Sequence, residues 1–291
     1  MHQIETVAVL GAGTMGRGIA HVAALGGFRT RLYDVAGDAR TEALETIRRN
    51  LEGGVERGKV EADEAEDALG RITLHGDLEE AVGNADLVIE AVPENMKLKI
   101  ETFQDVDYHA PQETIFASNT SSLSITEMAA GSGRPGRFAG MHFFNPVHIM
   151  KLVELVRGLE TREDTVATLA EVATRMGKEV VVINESPGFV TSRINALIGV
   201  EAFRMLEAGV ASAEDIDKAL KLGLNHPMGP FEMIDLVGLD VRLSILEYLH
   251  RTLGETYRPP NLLVQYVRAG RLGRKVGKGV YTYDEDGNRI G

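Results

Sequence analysis

A histidine and a glutamate stand twelve positions apart in the segment that runs from His142-Phe-Phe-Asn-Pro146 to Glu154. These residue types make a general acid–base pair: the imidazole moves a proton, and the carboxylate orients the ring and steadies its charge. A second set lies near the start of the chain. Gly11-Ala-Gly13-Thr-Met-Gly16 is a GxGxxG run, and Asp34 follows its last glycine by eighteen residues. Between a strand and a helix, the first glycine permits a tight turn and the second lets backbone approach a pyrophosphate. The third lets helix and strand pack closely. The helix N-terminus then offers N–H groups and partial positive charge to phosphates. A proton-transfer pair beside a nicotinamide site is the equipment of an alcohol dehydrogenase.

These residues need a scaffold, and the apolar patterning supplies one. A buried strand is predicted over Ile4–Leu10, a helix over Thr14–Leu25 and a second strand over Arg29–Tyr33, ending at Asp34. That is a strand–helix–strand unit of about 30 residues, the length such a unit needs. Ala39–Ala68 reads as a long, strongly charged helical region broken by glycines at 53, 54 and 58, most simply a protruding helical hairpin. Alternation then resumes: strand Asp86–Val92, helix Lys97–Tyr108 and strand Thr114–Ser118. Strands Arg137–Phe143 and Leu152–Val156 follow, joined through an Asn145-Pro146 turn. Helix Thr165–Met176 and strand Glu179–Ile183 complete the set. Such alternation predicts an α/β fold: a Rossmann-like, doubly wound, mainly parallel sheet with helices on both faces. After Glu185-Ser-Pro-Gly188 helical periodicity takes over, in Val190–Glu207, Ala213–Leu222, Phe231–Val237 and Val241–Leu253. The expected domains are therefore 1–184, binding dinucleotide, and 185–291, all-α.

Composition narrows the classes. The 291 residues suffice for two domains, and 44% hydrophobic content supports a sizeable core. A net charge of −12 disfavours nucleic acid and anionic membrane surfaces as partners. With no cysteine there is no disulfide and no thiolate metal site. Neither a signal peptide nor a membrane span is legible, so the expectation is a soluble, cytoplasmic-type protein.

Asp34, at the end of its strand, can accept hydrogen bonds from both ribose hydroxyls and repels a 2′-phosphate; the next arginine is Arg40. NAD is thus favoured over NADP. Ser118-Asn-Thr-Ser-Ser122 follows a strand whose C-terminal end should face the ligand crevice. Ser124 with Glu127 looks like a capping box for the next helix, which leaves Ser121 to hold a substrate oxygen. Glu154 could return beside the His142 ring and fix its tautomer, although spacing alone does not show the contact. His142 with His148 matches no metal motif, and no metal is expected. His226, before Pro227, reads as a turn. Within the basic stretch Arg268–Lys278, otherwise a solvated loop, Lys275 is the candidate for a phosphate contact.

With these residues in place the chain resembles the short-chain L-3-hydroxyacyl-CoA dehydrogenase family, which includes stand-alone 3-hydroxybutyryl-CoA dehydrogenases. The matching motifs are Gly11–Gly16, Asp34, Glu90-Ala-Val-Pro-Glu94, Ser118–Ser122, His142–Pro146 and Lys151-Leu-Val-Glu154. Ser186-Pro-Gly-Phe189, His226-Pro-Met-Gly-Pro230 and Gly277-Lys-Gly-Val-Tyr281 extend the match through the chain. The resemblance implies His142 as catalytic base, Glu154 as its partner and Ser121 on the substrate oxygen. It implies NAD contacts at Gly11, Gly13, Thr14, Met15, Gly16, Asp34, Glu94, Lys99, Ser121, Asn145 and Lys275. It places the CoA nucleotide near the hairpin, with Arg57 or Lys59 as contacts, and a homodimer through the helical domain. One departure stands out: many members carry Asn before the arginine that follows the Pro-Gly-Phe motif, and here that position is Ser192. The implied activity is NAD-dependent, reversible oxidation of an L-3-hydroxyacyl-CoA. The alternatives are a free hydroxy acid or carnitine-like substrate on the same fold, and a nucleotide-binding protein without catalysis.

Overall fold

A computed structural model describes residues 3–290. The chain divides into two compact units, Met1–Ser186 and Pro187–Gly291. The first carries eight strands: β1 (Thr6–Leu10), β2 (Arg29–Tyr33), β3 (Ile72–His75), β4 (Leu87–Glu90), β5 (Ile115–Ser118), β6 (Phe138–Phe143), β7 (Leu152–Arg157) and β8 (Glu179–Asn184). Its helices are α1 (Thr14–Leu25), α2 (Gly37–Glu56), α3 (Ala62–Gly70), α4 (Leu78–Val82), α5 (Met96–His109), α6 (Ile125–Gly131) and α7 (Glu163–Arg175). The strands form one sheet in the order β3-β2-β1-β4-β5-β6-β7-β8. Every pairing is parallel except β6 with β7.

This is the doubly wound fold expected from the alternation. Crossovers between parallel strands are right-handed, so reversing the direction of winding after β3 puts helices on both faces. The reversal leaves a crevice beyond the C-terminal ends of β1 and β4, where their connections diverge. Strands β1 and β4 are buried along their whole length, as central parallel strands require, which is why they read as nearly continuous apolar runs, broken only by Thr6 and Glu90. The charged region after Asp34 is the expected hairpin, with α2 and α3 meeting through the turn that holds Arg57 and Lys59. Strand β3 and helix α4 were not read from the sequence.

Helix α1 packs against the connection between β6 and β7. A Cβ on Gly18 would lie 2.8 Å from the Val147 side chain, so the contact needs glycine. Beside it the buried His21 ring stacks on His148, with centroids 5.3 Å apart and planes within 12°. Lys178 donates to the carbonyls of Val147 and Met150, clamping the same connection.

The second unit is helical: α8 (Thr191–Glu207), α9 (Ala213–Gly223), α10 (Pro230–Val237), α11 (Leu239–Leu253) and α12 (Asn261–Arg268). Its sheet-like pairings among the described residues are isolated bridges in the tail. Two buried aspartates lace that tail to the helices. Asp217 accepts from Phe231 N, Glu232 N and the Tyr281 hydroxyl. Asp235 accepts from Val280 N, Tyr281 N and the Tyr283 hydroxyl. The glycine-rich motifs around Gly229 and Gly279 thus have a packing role, since a Cβ at Gly279 would fall 2.0 Å from an Asp235 oxygen.

Burial, then the nearby His148 and Lys178, pushes the His21 imidazole from 6.5 down to about 4. In the unfolded chain it is free to protonate at its ordinary value. His21 therefore contributes stability that is complete above pH 6.5 and is lost as pH falls toward 4. The integrated effect is on the order of 3 kcal/mol. Urea unfolding across this window should show that loss, and His21→Gln should flatten it; the same pH slope in the variant would contradict the assignment.

Candidate active site

The crevice is a cavity of about 570 Å³ in the first unit, lined by Gly11, Gly13, Thr14, Met15, Asp34 and Val92 among others. Its walls come from the C-terminal ends of β1, β2 and β4. Gly11 has φ +99°, a value side chains resist, and a Cβ there would lie 2.7 Å from the Ala91 carbonyl. At Gly16 a Cβ would lie 1.7 Å from the Gly11 oxygen, so α1 can begin this close to β1 only with glycine. At Gly13, by contrast, a Cβ would meet nothing within 4 Å: its outward side is open space. Gly13 caps α1 without a side-chain hydrogen bond, so the first N–H groups of the helix face that space. The residues present fit a dinucleotide.

Asp34 does more than close the far wall. One oxygen accepts from Ala12 N at 2.8 Å and the other from Ala36 N at 2.9 Å. These bonds tie the glycine loop to β2 and aim both oxygens into the crevice region, with lone pairs remaining for hydroxyl donors. Arg40, distant in the sequence reading, donates to the Asp34 carbonyl.

His142 and Glu154 are directly opposed in the antiparallel register of β6 and β7. Nδ1 of His142 lies 2.8 Å from Oε2 of Glu154, and both side chains are buried. The Phe144 ring leans on the imidazole at 4.5 Å between centroids. The loop after β5 is tied to the same strand, because Asn119 Oδ1 accepts from Phe143 N at 3.0 Å. Ser121 sits in that loop, its N–H donating to Glu94 at 3.1 Å. Ser124, as its cap pattern predicts, accepts from Glu127 N at the start of α6.

Lys99 is 1% exposed, and its ammonium is engaged by Glu90 at 2.6 Å, Glu94 at 3.2 Å and the Val92 carbonyl. Asn145 is exposed beyond β6, next to Pro146 in a cis peptide. Arg57 and Lys59 lie at the hairpin turn. Ser192 and Lys275 belong to the second unit; Ser192 is in the first turn of α8, and Lys275 is held by both carboxylate oxygens of Asp240 at 2.7 Å. Sequence reasoning gave no role to Asn119 or Glu90. The second had a signal: a glutamate closing an otherwise apolar strand, Leu-Val-Ile-Glu.

Residues 6–186 match the family model for the 3-hydroxyacyl-CoA dehydrogenase NAD binding domain, and residues 188–283 match that for the C-terminal domain. A probable 3-hydroxybutyryl-CoA dehydrogenase of Bacillus subtilis is 48% identical, over 97% of this chain and 99% of that protein. The 3-hydroxybutyryl-CoA dehydrogenase of Bradyrhizobium diazoefficiens is 45% identical over 96% of each. The crystal structure of (S)-3-hydroxybutyryl-CoA dehydrogenase from Ralstonia eutropha superposes with a TM-score of 0.94 at 41% identity, covering 97% of this chain and 100% of that one. The chain therefore belongs to the 3-hydroxyacyl-CoA dehydrogenase family and is an NAD-dependent oxidoreductase.

Proposed function

We propose that this enzyme interconverts an L-3-hydroxyacyl-CoA, with 3-hydroxybutyryl-CoA as the first substrate to test, and the 3-oxoacyl-CoA, using His142 as the proton-exchanging group. The observation that carries the reading is the 2.8 Å contact of His142 with a buried Glu154 in a chain of this family. NAD, when bound, supplies the acceptor for the hydride that leaves the hydroxyl-bearing carbon. With Nδ1 engaged by Glu154, Nε2 takes the hydroxyl proton; in the reverse direction the imidazolium returns it to the oxygen. Glu154 holds the ring's tautomer and orientation. Ser121 donates to the substrate oxygen; a role for Ser192, which stands where many relatives carry asparagine, rests on the resemblance alone.

In this reading 1–184 is the NAD-binding domain and 185–291 the substrate-binding and dimerisation domain. Backbone at Gly11, Gly13, Thr14, Met15 and Gly16 receives the pyrophosphate, and Asp34 the ribose hydroxyls. Glu94 and Lys99 as cofactor contacts rest on the resemblance, with Lys99 buried behind the crevice against Glu90. Asn145 and Lys275 as cofactor contacts, and Arg57 or Lys59 as contacts for the CoA nucleotide, rest on the resemblance alone. No helix among the described residues is long and apolar enough to cross a membrane. NAD and CoA thioesters are pools of the cell interior, which supports a cytoplasmic location in this reading.

The second unit leaves large apolar side chains uncovered: Leu222 is 77% exposed, Leu224 68% and Leu236 50%. These side chains are available to an interface between two copies, and with the resemblance they support a homodimer through this unit. Sedimentation equilibrium at micromolar concentration should give twice the chain mass. A monomer there contradicts the dimer.

The catalytic reading is tested by mixing the protein with acetoacetyl-CoA and NADH. NADH should be consumed, and a free 3-oxo acid should be turned over far more slowly. His142→Gln should lower kcat by roughly 10³-fold or more, with NADH binding nearly intact. Full activity in that variant overturns the mechanism, and preference for the free acid overturns the substrate class.

A further inference from the structure

Glu90 closes β4 at the centre of the sheet and is fully buried. An ionised carboxylate in such a place is costly unless it is paired and hydrogen-bonded. Glu90 has three donors: Lys99 Nζ at 2.6 Å and Val92 N at 2.7 Å on one oxygen, and the Ser118 hydroxyl at 2.7 Å on the other. Burial holds its carboxyl above the usual range, an effect that Lys99, Ser118 and Val92 N offset only in part. A buried pair of this kind adds little net stability compared with apolar packing, so its value lies in the geometry it imposes.

That geometry reaches the reacting end by two routes. Lys99 passes from Glu90 to Glu94 at 3.2 Å. One oxygen of Glu94 then accepts from the Thr120 hydroxyl at 2.5 Å, Ser121 N at 3.1 Å and the Ser122 hydroxyl at 3.4 Å. The second route runs through Ser118, whose hydroxyl accepts from Thr120 N at 3.2 Å. Both routes end on the loop that carries Ser121. The same loop is fastened by Asn119 to Phe143, next to His142.

We propose that Glu90 is a positioning residue for the dehydrogenase reaction: by gripping Lys99 and Ser118 it fixes Glu94 and the 118–122 loop, and so sets Ser121 against His142. It touches neither substrate nor cofactor. The proposal rests on the catalytic reading above, in which Ser121 holds the substrate oxygen. Glu90→Gln keeps the side chain's shape and removes the charge that holds Lys99. Misplacing a loop by a fraction of an ångström to 1 Å lowers turnover by roughly 10- to 100-fold. The glycine loop from Gly11 to Gly16 and Asp34 lie outside this chain of contacts, whereas Val92, Lys99 and Glu94 lie within it, so NADH affinity falls less than turnover.

The test measures kcat, the KM for acetoacetyl-CoA and the NADH dissociation constant for wild type, Glu90→Gln, Glu94→Gln and the double variant. Glu90→Gln should lower kcat by roughly 10- to 100-fold and weaken NADH binding by a smaller factor, since Gly11 to Gly16 and Asp34 keep their contacts. Because both residues act through one chain of contacts, the double variant should be no slower than the slower single variant. Ser118→Ala cuts one route and keeps the ion pair; it should lower kcat by roughly 3- to 10-fold, and it decides the matter if Glu90→Gln does not fold. A kcat within twofold of wild type, a loss expressed in NADH affinity alone, or multiplicative effects in the double variant each overturn the proposal. An inactive wild type sinks the catalytic reading instead, so the two failures are distinguishable.

Discussion

The site is organised around one hydrogen bond, from Nδ1 of His142 to Oε2 of Glu154 at 2.8 Å. The bond exists because β6 and β7 are the single antiparallel pair in an otherwise parallel sheet. Antiparallel pairing puts residues directly opposite each other with side chains on one face. A parallel continuation after β6 would have carried Glu154 far from the ring. The clamp that Lys178 and the His21–His148 stack place on the intervening connection holds that reversal in position.

Buried charge recurs through the first unit, always with partners. Glu154 is answered by His142, Glu90 by Lys99 and Ser118, and the Lys178 ammonium by two carbonyls. Such groups are poor sources of stability and good sources of specificity, because each accepts one arrangement of its neighbours. Here they stand where strand ends meet the crevice, and each fixes a loop. Asp34 belongs to the same pattern: its carboxylate orders the glycine loop through Ala12 N while presenting acceptors to a ribose.

Much of this was legible in the sequence, for identifiable reasons. Long periodic segments declared themselves: α1 begins at Thr14 and ends at Leu25, and β2 spans Arg29–Tyr33, as the patterning predicts. The short elements did not. Strand β3 and helix α4 have four and five residues, too few to show a period, and the eight-residue α12 falls in the stretch after Leu253 to which the patterning assigns no element. At the site, residue types announced the chemistry while contacts stayed hidden. A spacing of twelve positions from His142 to Glu154 fits many geometries, and only the register of β6 on β7 selects one. Glu90 was visible as part of a motif, but its burial depends on β4 lying between β1 and β5, which no local pattern states. Arg40 stood six residues past Asp34 and came back to its carbonyl through the first turn of α2.

The central claim is that Glu154 fixes His142 with its proton on Nδ1, leaving Nε2 to exchange protons with substrate. Nitrogen-15 NMR of the enzyme with labelled histidine, read at a pH where the ring is neutral, tests this directly. The account predicts the Nδ1–H tautomer for His142 in the wild type and a mixture in Glu154→Gln. A predominantly Nε2–H ring in the wild type would contradict it.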